Sequence, residues 1–166
     1  NVIIRNNIFT ANNHAGIRLF SISRNIKIYH NTFYQNGVLG IAIEAANIPG
    51  IDIQNNLIFQ SPNTHCRENC QWYTPSHIQS VALASAVNIN NNSYHGVTTK
   101  IVGDSDAKAV TGTVRFVNPA ALNFRILAGS SMIDKGIILM VVPRDFDGQA
   151  RPRGAAYDTG AFEYLP

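Results

Sequence analysis

Apolar and polar residues alternate in short segments over residues 1–99, and clusters of asparagine and glycine separate these segments. Alternation with a period of two is typical of β-strands, and no segment keeps the i, i+3, i+4 spacing of an amphipathic helix. The pattern therefore predicts short strands joined by turns. Four segments align as copies of one another: NVIIRNNIF (1–9), NIKIYHNTF (25–33), GIDIQNNLI (50–58) and AVNINNNSY (86–94).

The spacing of these copies indicates a repeat protein. They start 24, 25 and 36 residues apart, and a second strand recurs in phase as GIRL (16–19), GIAI (40–43) and SVAL (80–83). A repeat of about 24 residues with two or three short strands has the size of one coil of a solenoid. The step of 36 is then a coil with an insertion, which we place at residues 61–79.

Asparagine, with 19 copies in the chain, occupies the same point of every aligned segment. Stacked side-chain amides can hydrogen-bond from coil to coil, and asparagine tolerates the left-handed backbone of tight turns. The repeat therefore predicts an asparagine ladder through the stacked coils. Its members are Asn7, Asn31, Asn56 and Asn92.

The strand period also predicts which side chains point outward. With the isoleucines of the aligned segments inside, Lys27 and Asp52 become neighbours in one outward column, at the strand spacing of about 4.8 Å. We expect them to form a surface ion pair. Tyr29 lies in the next outward column, beside Arg5. The inward positions are Ile4, Ile28, Ile53 and Ile89.

The C-terminal part carries a second group of motifs, namely D-x-D-G at 145–148, R-P at 151–152 and D-x-G-A-F-E-Y at 158–164. With the coil repeat, this order resembles the right-handed parallel β-helix proteins of the pectate-lyase-like superfamily, including secreted bacterial members. The resemblance and the repeat length imply an all-β, right-handed parallel β-helix of about five coils. Residues 1–99 would form coils, and residues 100–166 the last coil or coils and an irregular C-terminal cap. Because no cap precedes the repeat at Asn1, we expect missing coils or another chain to cover that open end.

Charge and hydropathy restrict the classes of binding partner that we expect. The net charge is +3, and the basic residues are scattered, which favours a solvated surface over a nucleic-acid site. The longest apolar run, residues 136–143, is too short to cross a bilayer. We therefore expect neither a nucleic acid nor a membrane as a partner.

The insertion holds Cys66 and Cys70, which favours a loop disulfide in an oxidising compartment, with two free thiols as the alternative. It also holds Trp72 and Tyr73, a possible platform for stacking sugars. The alternative is that Trp72 covers an apolar flank of the coils.

The resemblance implies chemistry on carbohydrate. A polysaccharide lyase needs a base, and cations that stabilise the developing negative charge. Arg18, Lys27 and Tyr29 are the candidate catalytic residues, against the alternative of ordinary surface polarity. The expected substrate-binding residues are Arg5, Glu44, Asp52, Trp72 and Tyr73.

Other chemistry has weaker support. A glycoside hydrolase needs two facing carboxylates, and no such pair stands on consecutive coils. The D-x-D-G motif resembles the start of a calcium loop but lacks the later ligand, so no cofactor is expected, with calcium possible. The resemblance implies instead that acids of the tail pair with Arg151 or Arg153.

Two functions follow as expectations. The first is a secreted, carbohydrate-interacting β-helix that is part of, or related to, a polysaccharide lyase acting on acidic glycans. The second is a non-catalytic binding or structural module of a surface or adhesion protein.

Overall fold

A computed structural model describes residues 1–20, 23–46, 48–59, 76–81, 86–98 and 100–166. Strands dominate these residues, and helical structure is limited to short 3-10 turns such as Pro119–Ala121. Successive strands follow one another in triplets, and a triplet with its turns forms one coil. Four coils stack so that each contributes one strand to each of three parallel, four-stranded sheets.

The three sheets have strands of three to five residues, apart from one of two. Sheet A contains β1 (Val2–Arg5), β4 (Ile26–Tyr29), β7 (Ile51–Gln54) and β10 (Val87–Asn90). Sheet B contains β2 (Ile8–Thr10), β5 (Thr32–Tyr34), β8 (Leu57–Phe59) and β11 (Ser93–His95). Sheet C contains β3 (Ala15–Leu19), β6 (Leu39–Ile43), β9 (Ser76–Ser80) and β12 (Ile101–Val102).

The register of sheet A follows the sequence repeat. Ile4 pairs with Ile28, Ile28 with Ile53, and Ile53 with Ile89, all in parallel strands. Side chains from the three sheets meet inside the stack, where removal from water stabilises a core side chain by roughly 1.5–3 kcal/mol. The all-β class and the in-register parallel stacking are therefore confirmed, and they are compatible with a β-solenoid. The fully buried members of this core include Ile28, Phe33, Ile41, Ile53, Ile58 and Ile78.

One predicted strand was misaligned. In sheet C, Ile41 pairs with Ile78 and Ile43 with Ser80, so β9 is the third copy of this strand and SVAL (80–83) is not. β9 also begins at Ser76, inside the range that the sequence assigns to the insertion. The reason is that β9 places a single isoleucine inside, between two buried serines, so its apolar alternation is weak.

The asparagine ladder is confirmed. Asn7 donates from Nδ2 to Oδ1 of Asn31 (3.0 Å), Asn31 to Asn56 (3.1 Å) and Asn56 to Asn92 (2.9 Å). The backbone N–H of each donor residue reaches the same oxygen at 2.9–3.0 Å. The residue before each rung has the left-handed backbone that such a turn requires, with φ between 51° and 56°. Those residues are Asn6, His30, Asn55 and Asn91.

Two features of the ladders were not predicted from the sequence. The main ladder ends on Asp106, whose Oδ2 accepts from the backbone N–H (2.9 Å) and Nδ2 (3.1 Å) of Asn92. A second, shorter ladder runs beside the first, because Asn12 donates from Nδ2 to Oδ1 of Asn36 at 2.7 Å. Both ladders point in the same direction along the stack.

A hairpin formed by β13 (Phe116–Asn118) and β14 (Asn123–Ile126) covers the outer face of sheet B. The ring of Tyr34 lies 4.9 Å from that of Phe124 and 5.7 Å from that of Phe116, measured between centroids. Aromatic pairs at these distances contribute about 0.5–1.5 kcal/mol beyond their buried area. Sheet B is therefore closed to ligands over this part of its surface.

Residues 135–144, the strap, lie along the side of the stack rather than across its end. Asn91 of the fourth coil donates to the carbonyl of Lys135 (3.4 Å), and Asn55 of the third donates to that of Ile137 (2.7 Å). In the first coil, Asn6 donates to the carbonyl of Arg144 (2.6 Å). The strap thus contacts the turns that follow sheet A, within the residues 100–166 for which the sequence predicts the last coil or coils and an irregular C-terminal cap.

A buried ionic cluster, the latch, holds the segment that follows the strap. Arg151 forms an ion pair with Glu163, both side chains being fully buried, and also donates to the carbonyls of Asp158 (3.1 Å) and Gly160 (2.9 Å). The second oxygen of Glu163 accepts the backbone N–H of Arg153 at 2.9 Å. His30 of the second coil joins the latch through Nδ1, 3.1 Å from the carbonyl of Asp158.

Candidate functional site

The outer face of sheet A carries a groove of about 410 Å³. It crosses three strands, because the middle position of each strand points outward in the pleat. Lys27 of β4, Asp52 of β7 and Asn88 of β10 are partners in register and form its floor. Asn1 and Asn25 add further polar groups where the strands begin.

Asp52 is the centre of the hydrogen bonds in this groove. Its Oδ2 accepts the Tyr29 hydroxyl, and its Oδ1 accepts Nε2 of Gln54 (2.6 Å) and Nδ2 of Asn88 (2.8 Å). Three neutral side chains thus donate hydrogen bonds to the carboxylate, one each from β4, β7 and β10.

The predicted ion pair between Lys27 and Asp52 does not form, although the two residues are neighbours in register. Both oxygens of the Asp52 carboxylate already accept hydrogen bonds from three neutral donors, so the carboxylate does not depend on Lys27 for a hydrogen-bond partner. Within the described ranges, Lys27 has no carboxylate partner. Lys27 lines the groove.

Tyr29 is a hydrogen-bond donor rather than a base. Its side chain is 3% exposed, and burial followed by the hydrogen bond to Asp52 raises the pKa of its hydroxyl well above the ordinary value. The phenol consequently stays protonated near neutral pH and directs its hydrogen to Asp52. Gln54, the neighbour of Tyr29 in register, is also buried.

The three predicted catalytic residues lie on two sheets. Arg18 is on sheet C, where it forms a two-point ion pair with Glu44 (Nη2–Oε2 2.6 Å, Nε–Oε1 3.1 Å). Lys27 and Tyr29 are on sheet A. Arg5 ends β1 and donates to the carbonyl of Val141 in the strap. Glu44 is thus separated from Asp52, the other predicted substrate-binding acid.

Four predicted residues lie outside the described residues. They are Cys66, Cys70, Trp72 and Tyr73.

The acids of the D-x-D-G motif are engaged by protein groups. Asp145 accepts the backbone N–H of Gln149 (2.8 Å) and of Glu163 (3.0 Å), and Asp147 forms a two-point pair with Arg125 (2.7 and 2.6 Å). In the part of the chain that the structure describes, no three His, Cys, Asp or Glu side chains are grouped so as to hold a metal ion.

The predicted site residues do not include Asn88 and Asn25, which line the groove, or Gln54, which donates to Asp52. The alternation does place Asn88 and Gln54 in the outward columns of Asp52 and Tyr29, and each stands in register with that residue.

Of the described residues, none belongs to a helix long and apolar enough to span a membrane. No protein-family model matches the chain, and a comparison with curated proteins gives no significant match. The geometry of the groove is therefore the basis for the functional argument.

Proposed function

We propose that this protein is a secreted or cell-surface, right-handed parallel β-helix that binds an acidic polysaccharide in the groove of sheet A. The stacked parallel sheets support the architecture. A fifth, partial coil is supported by the parallel bridge between Ser93 and Val110, which continues sheet B beyond β11.

The observation that carries the proposal is Lys27, a cation without a carboxylate partner among the described residues, at the floor of an amide-lined groove. An ammonium group attracts a uronate carboxylate, and asparagine amides both donate to and accept from sugar hydroxyls. In-register strands repeat these groups at about 4.8 Å, which provides an extended polar surface for a linear polymer.

Binding without turnover is favoured by the state of the two groups beside Lys27. A lyase requires a base that removes the proton next to the uronate carboxylate. Tyr29 is buried and protonated, and Asp52 accepts three hydrogen bonds. Lyase activity is the second candidate, because Asp52 and Lys27 place a carboxylate and a cation in one groove and the Tyr29 hydroxyl donates to that carboxylate.

The test measures binding to polyuronate and to a neutral polysaccharide by titration calorimetry, for the wild type and for Lys27→Met. We expect binding to polyuronate, and a loss of at least about tenfold in affinity in the variant, equivalent to ~1.4 kcal/mol. Lys108→Met is the matched control, because Lys108 is an exposed lysine in the loop after β12 and does not line the groove.

Absence of polyuronate binding, or equal losses in Lys27→Met and Lys108→Met, would contradict the proposal. Ultraviolet absorbance of an unsaturated product during the same incubation would replace simple binding by lyase activity.

A further inference from the structure

A series of hydrogen bonds links His30, in the turn of the second coil, to the strap through the side chain of Asn55. Nδ2 of Asn55 lies 2.9 Å from Nε2 of His30 and 2.7 Å from the carbonyl oxygen of Ile137. Oδ1 of Asn55 accepts the backbone N–H of Ile137 at 3.0 Å. One amide group therefore holds both the imidazole and the middle of the strap.

The partners of this amide determine which nitrogen of His30 carries the proton. Because Oδ1 of Asn55 accepts a backbone N–H group, the orientation of the amide is fixed, and its NH2 group is the part that faces His30. Nε2 of His30 must then accept, and Nδ1 carries the hydrogen that the carbonyl of Asp158 accepts at 3.1 Å. His30 is therefore neutral, and both of its ring nitrogens are engaged.

A proton added to Nε2 of His30 conflicts with this arrangement. The new N–H group would point at the NH2 group of Asn55, and two donors cannot bond to each other. A rotation of the Asn55 amide by half a turn would offer its oxygen to His30. The same rotation would turn its NH2 group towards the backbone N–H of Ile137 and leave the Ile137 carbonyl without its donor. Protonation of His30 thus requires the bonds between Asn55 and the strap to break.

The charged and titratable groups that surround His30 also oppose a proton there. Arg151 is positively charged and is itself paired with Glu163. The ring of Tyr157 packs on the imidazole, 5.4 Å away between centroids, and the carboxylate of Asp158 is occupied by two backbone N–H groups at 2.7 and 2.6 Å. Burial, followed by the charge of Arg151, therefore holds the pKa of His30 well below 6.5.

Two outward side chains of sheet A are buried beside the strap. Tyr29 and Gln54 point outward in register with each other and are only 3% and 8% exposed, so another segment must cover them. The strap is bonded to Arg5, in the same outward column, and to Asn55, the residue after Gln54. Release of the strap would therefore expose Tyr29 and Gln54, which are two of the three donors to Asp52.

We propose that protonation of His30 releases the strap from the coils while the coils themselves stay folded. The imidazole is held neutral in the closed state and is exposed to water in the open state, so the open state binds the proton more tightly. Each pH unit below about 6.5 then raises the ratio of open to closed molecules by up to about tenfold. Above that pH the imidazole is neutral in both states, and the ratio does not change.

The amide hydrogen exchange of Ile137 measures this opening, because its N–H group donates to Asn55. Protection factors are measured between pH 7 and about pH 4.5 and compared with those in β4 and β7, the interior strands of sheet A. We expect the protection of Ile137 to fall about a hundredfold between about pH 6.5 and about pH 4.5, as one proton predicts over two pH units. At every pH it should be at least about tenfold lower than in β4 and β7.

Equal protection of Ile137 and of the amides in β4 and β7 would mean that the strap opens only when the whole stack unfolds. That result would overturn the proposal.

The variant His30→Asn tests the assignment to this histidine. It introduces a residue that does not titrate and that occupies the equivalent left-handed position in the other three turns. We expect the protection of Ile137 to change by less than about threefold over the same pH range. The matched control is His95→Asn, which replaces a buried histidine whose ring bonds to the carbonyl of Gly112. The control should keep the pH dependence, and its persistence in His30→Asn or its loss in both variants would contradict the proposal.

A second variant keeps the test decisive if His30→Asn does not fold. Asn55→Asp places a carboxylate between His30 and Ile137, and this group can accept both the N–H of Ile137 and a protonated Nε2 of His30. We expect the protection of Ile137 in this variant to stay constant or to rise between about pH 6.5 and about pH 4.5. A fall of about a hundredfold, as in the wild type, would overturn the proposal.

Discussion

The coil stack and the C-terminal segment are held together by opposite means. In the stack, neutral amides repeat the same hydrogen bonds in coil after coil, so that each rung resembles the next. In the C-terminal segment, the buried pair of Arg151 and Glu163 has no second copy among the described residues. A repeated interaction distributes stability over many positions, whereas a buried ionic cluster concentrates it in one.

The largest expected effect comes from breaking the latch. Arg151→Met leaves the buried Glu163 carboxylate without its cation, and removal of one partner of a buried pair typically costs about 3–5 kcal/mol. We expect a loss of this size in the free energy of unfolding, measured by urea denaturation. Arg125→Met, which removes the exposed partner of Asp147, should cost about 1 kcal/mol or less. Similar losses in the two variants would mean that the latch does not concentrate stability.

The next effect comes from removing an internal rung. Asn56→Ala removes the acceptor of the Asn31 backbone N–H and side-chain amide and the side-chain donor to the Ile28 carbonyl, whereas Oδ1 of Asn92 keeps the backbone N–H of residue 56. Each unsatisfied group costs about 1–3 kcal/mol, and local rearrangement recovers part of the total, so we expect a loss near 3 kcal/mol. Asn7→Ala, at the terminal rung, should reduce the free energy of unfolding by about half as much, because Asn7 bonds to a single other rung, Asn31. Equal losses would show that the ladder does not depend on rungs on both sides.

A smaller effect tests the end of the ladder. Asp106→Asn keeps the size of the side chain but replaces one acceptor oxygen by an NH2 group, while both oxygens of Asp106 currently accept. The new NH2 group then faces at least one N–H group that donates to Asp106 in the wild type. We expect the free energy of unfolding, measured by thermal or urea unfolding, to fall by about 1–2 kcal/mol. Unchanged stability would contradict the view that the ladder must end on a group that only accepts.

The smallest expected change in the free energy of unfolding at neutral pH comes from substituting His30. The same substitution should have its clearest effect at acid pH. Burial, followed by the nearby Arg151 charge, holds the pKa of His30 well below 6.5. As the pH falls below 6.5, the unfolded chain therefore binds a proton that the folded chain excludes, and the free energy of unfolding decreases. His30→Asn, which introduces the residue found at the other turns, should reduce this decrease in urea titrations between pH 7 and about pH 4.5.

His95 provides the control for that titration. Its burial lowers its pKa to about 4, so it contributes a decrease of the same sign between pH 6.5 and about 4 in the wild type and in His30→Asn alike. Burial raises the pKa of Glu163 and of Asp158, which acts in the opposite direction and is also common to both proteins. Identical pH slopes for the two proteins would contradict the assignment of His30 to a neutral, buried state.

The sequence predicts well those features that repeat. The positions of Ile28 and Ile53, the asparagine rungs and the adjacency of Lys27 and Asp52 all follow from aligning one coil with the next. It fails where the coils differ. The third strand of sheet C was misplaced because Ile78 is flanked by serine, and Asp106 was overlooked because it stands where no further copy aligns.

The site could be predicted only in part, for a related reason. Register placed Lys27 beside Asp52, but register does not reveal that Tyr29, Gln54 and Asn88 compete for the carboxylate. The repeat placed Arg18 on the second recurring strand and Lys27 on the first, but it did not show how far apart the faces of these two strands lie. Arg18 was grouped with Lys27 by charge alone, and the two belong to different faces of the stack.

The length of the strap fixes the number of coils between its first and last contacts. Its contacts with Asn91, Asn55 and Asn6 match three turns whose separations are multiples of the strand spacing, about 14 Å from first to last. Duplication or deletion of one internal unit, a frequent event in repetitive genes, would displace these contacts by about 4.8 Å and leave the strap too short or too long. A unit gained ahead of β1 would leave every one of them in place. Growth of this protein by repeat duplication is therefore tolerated at one end and opposed in the interior.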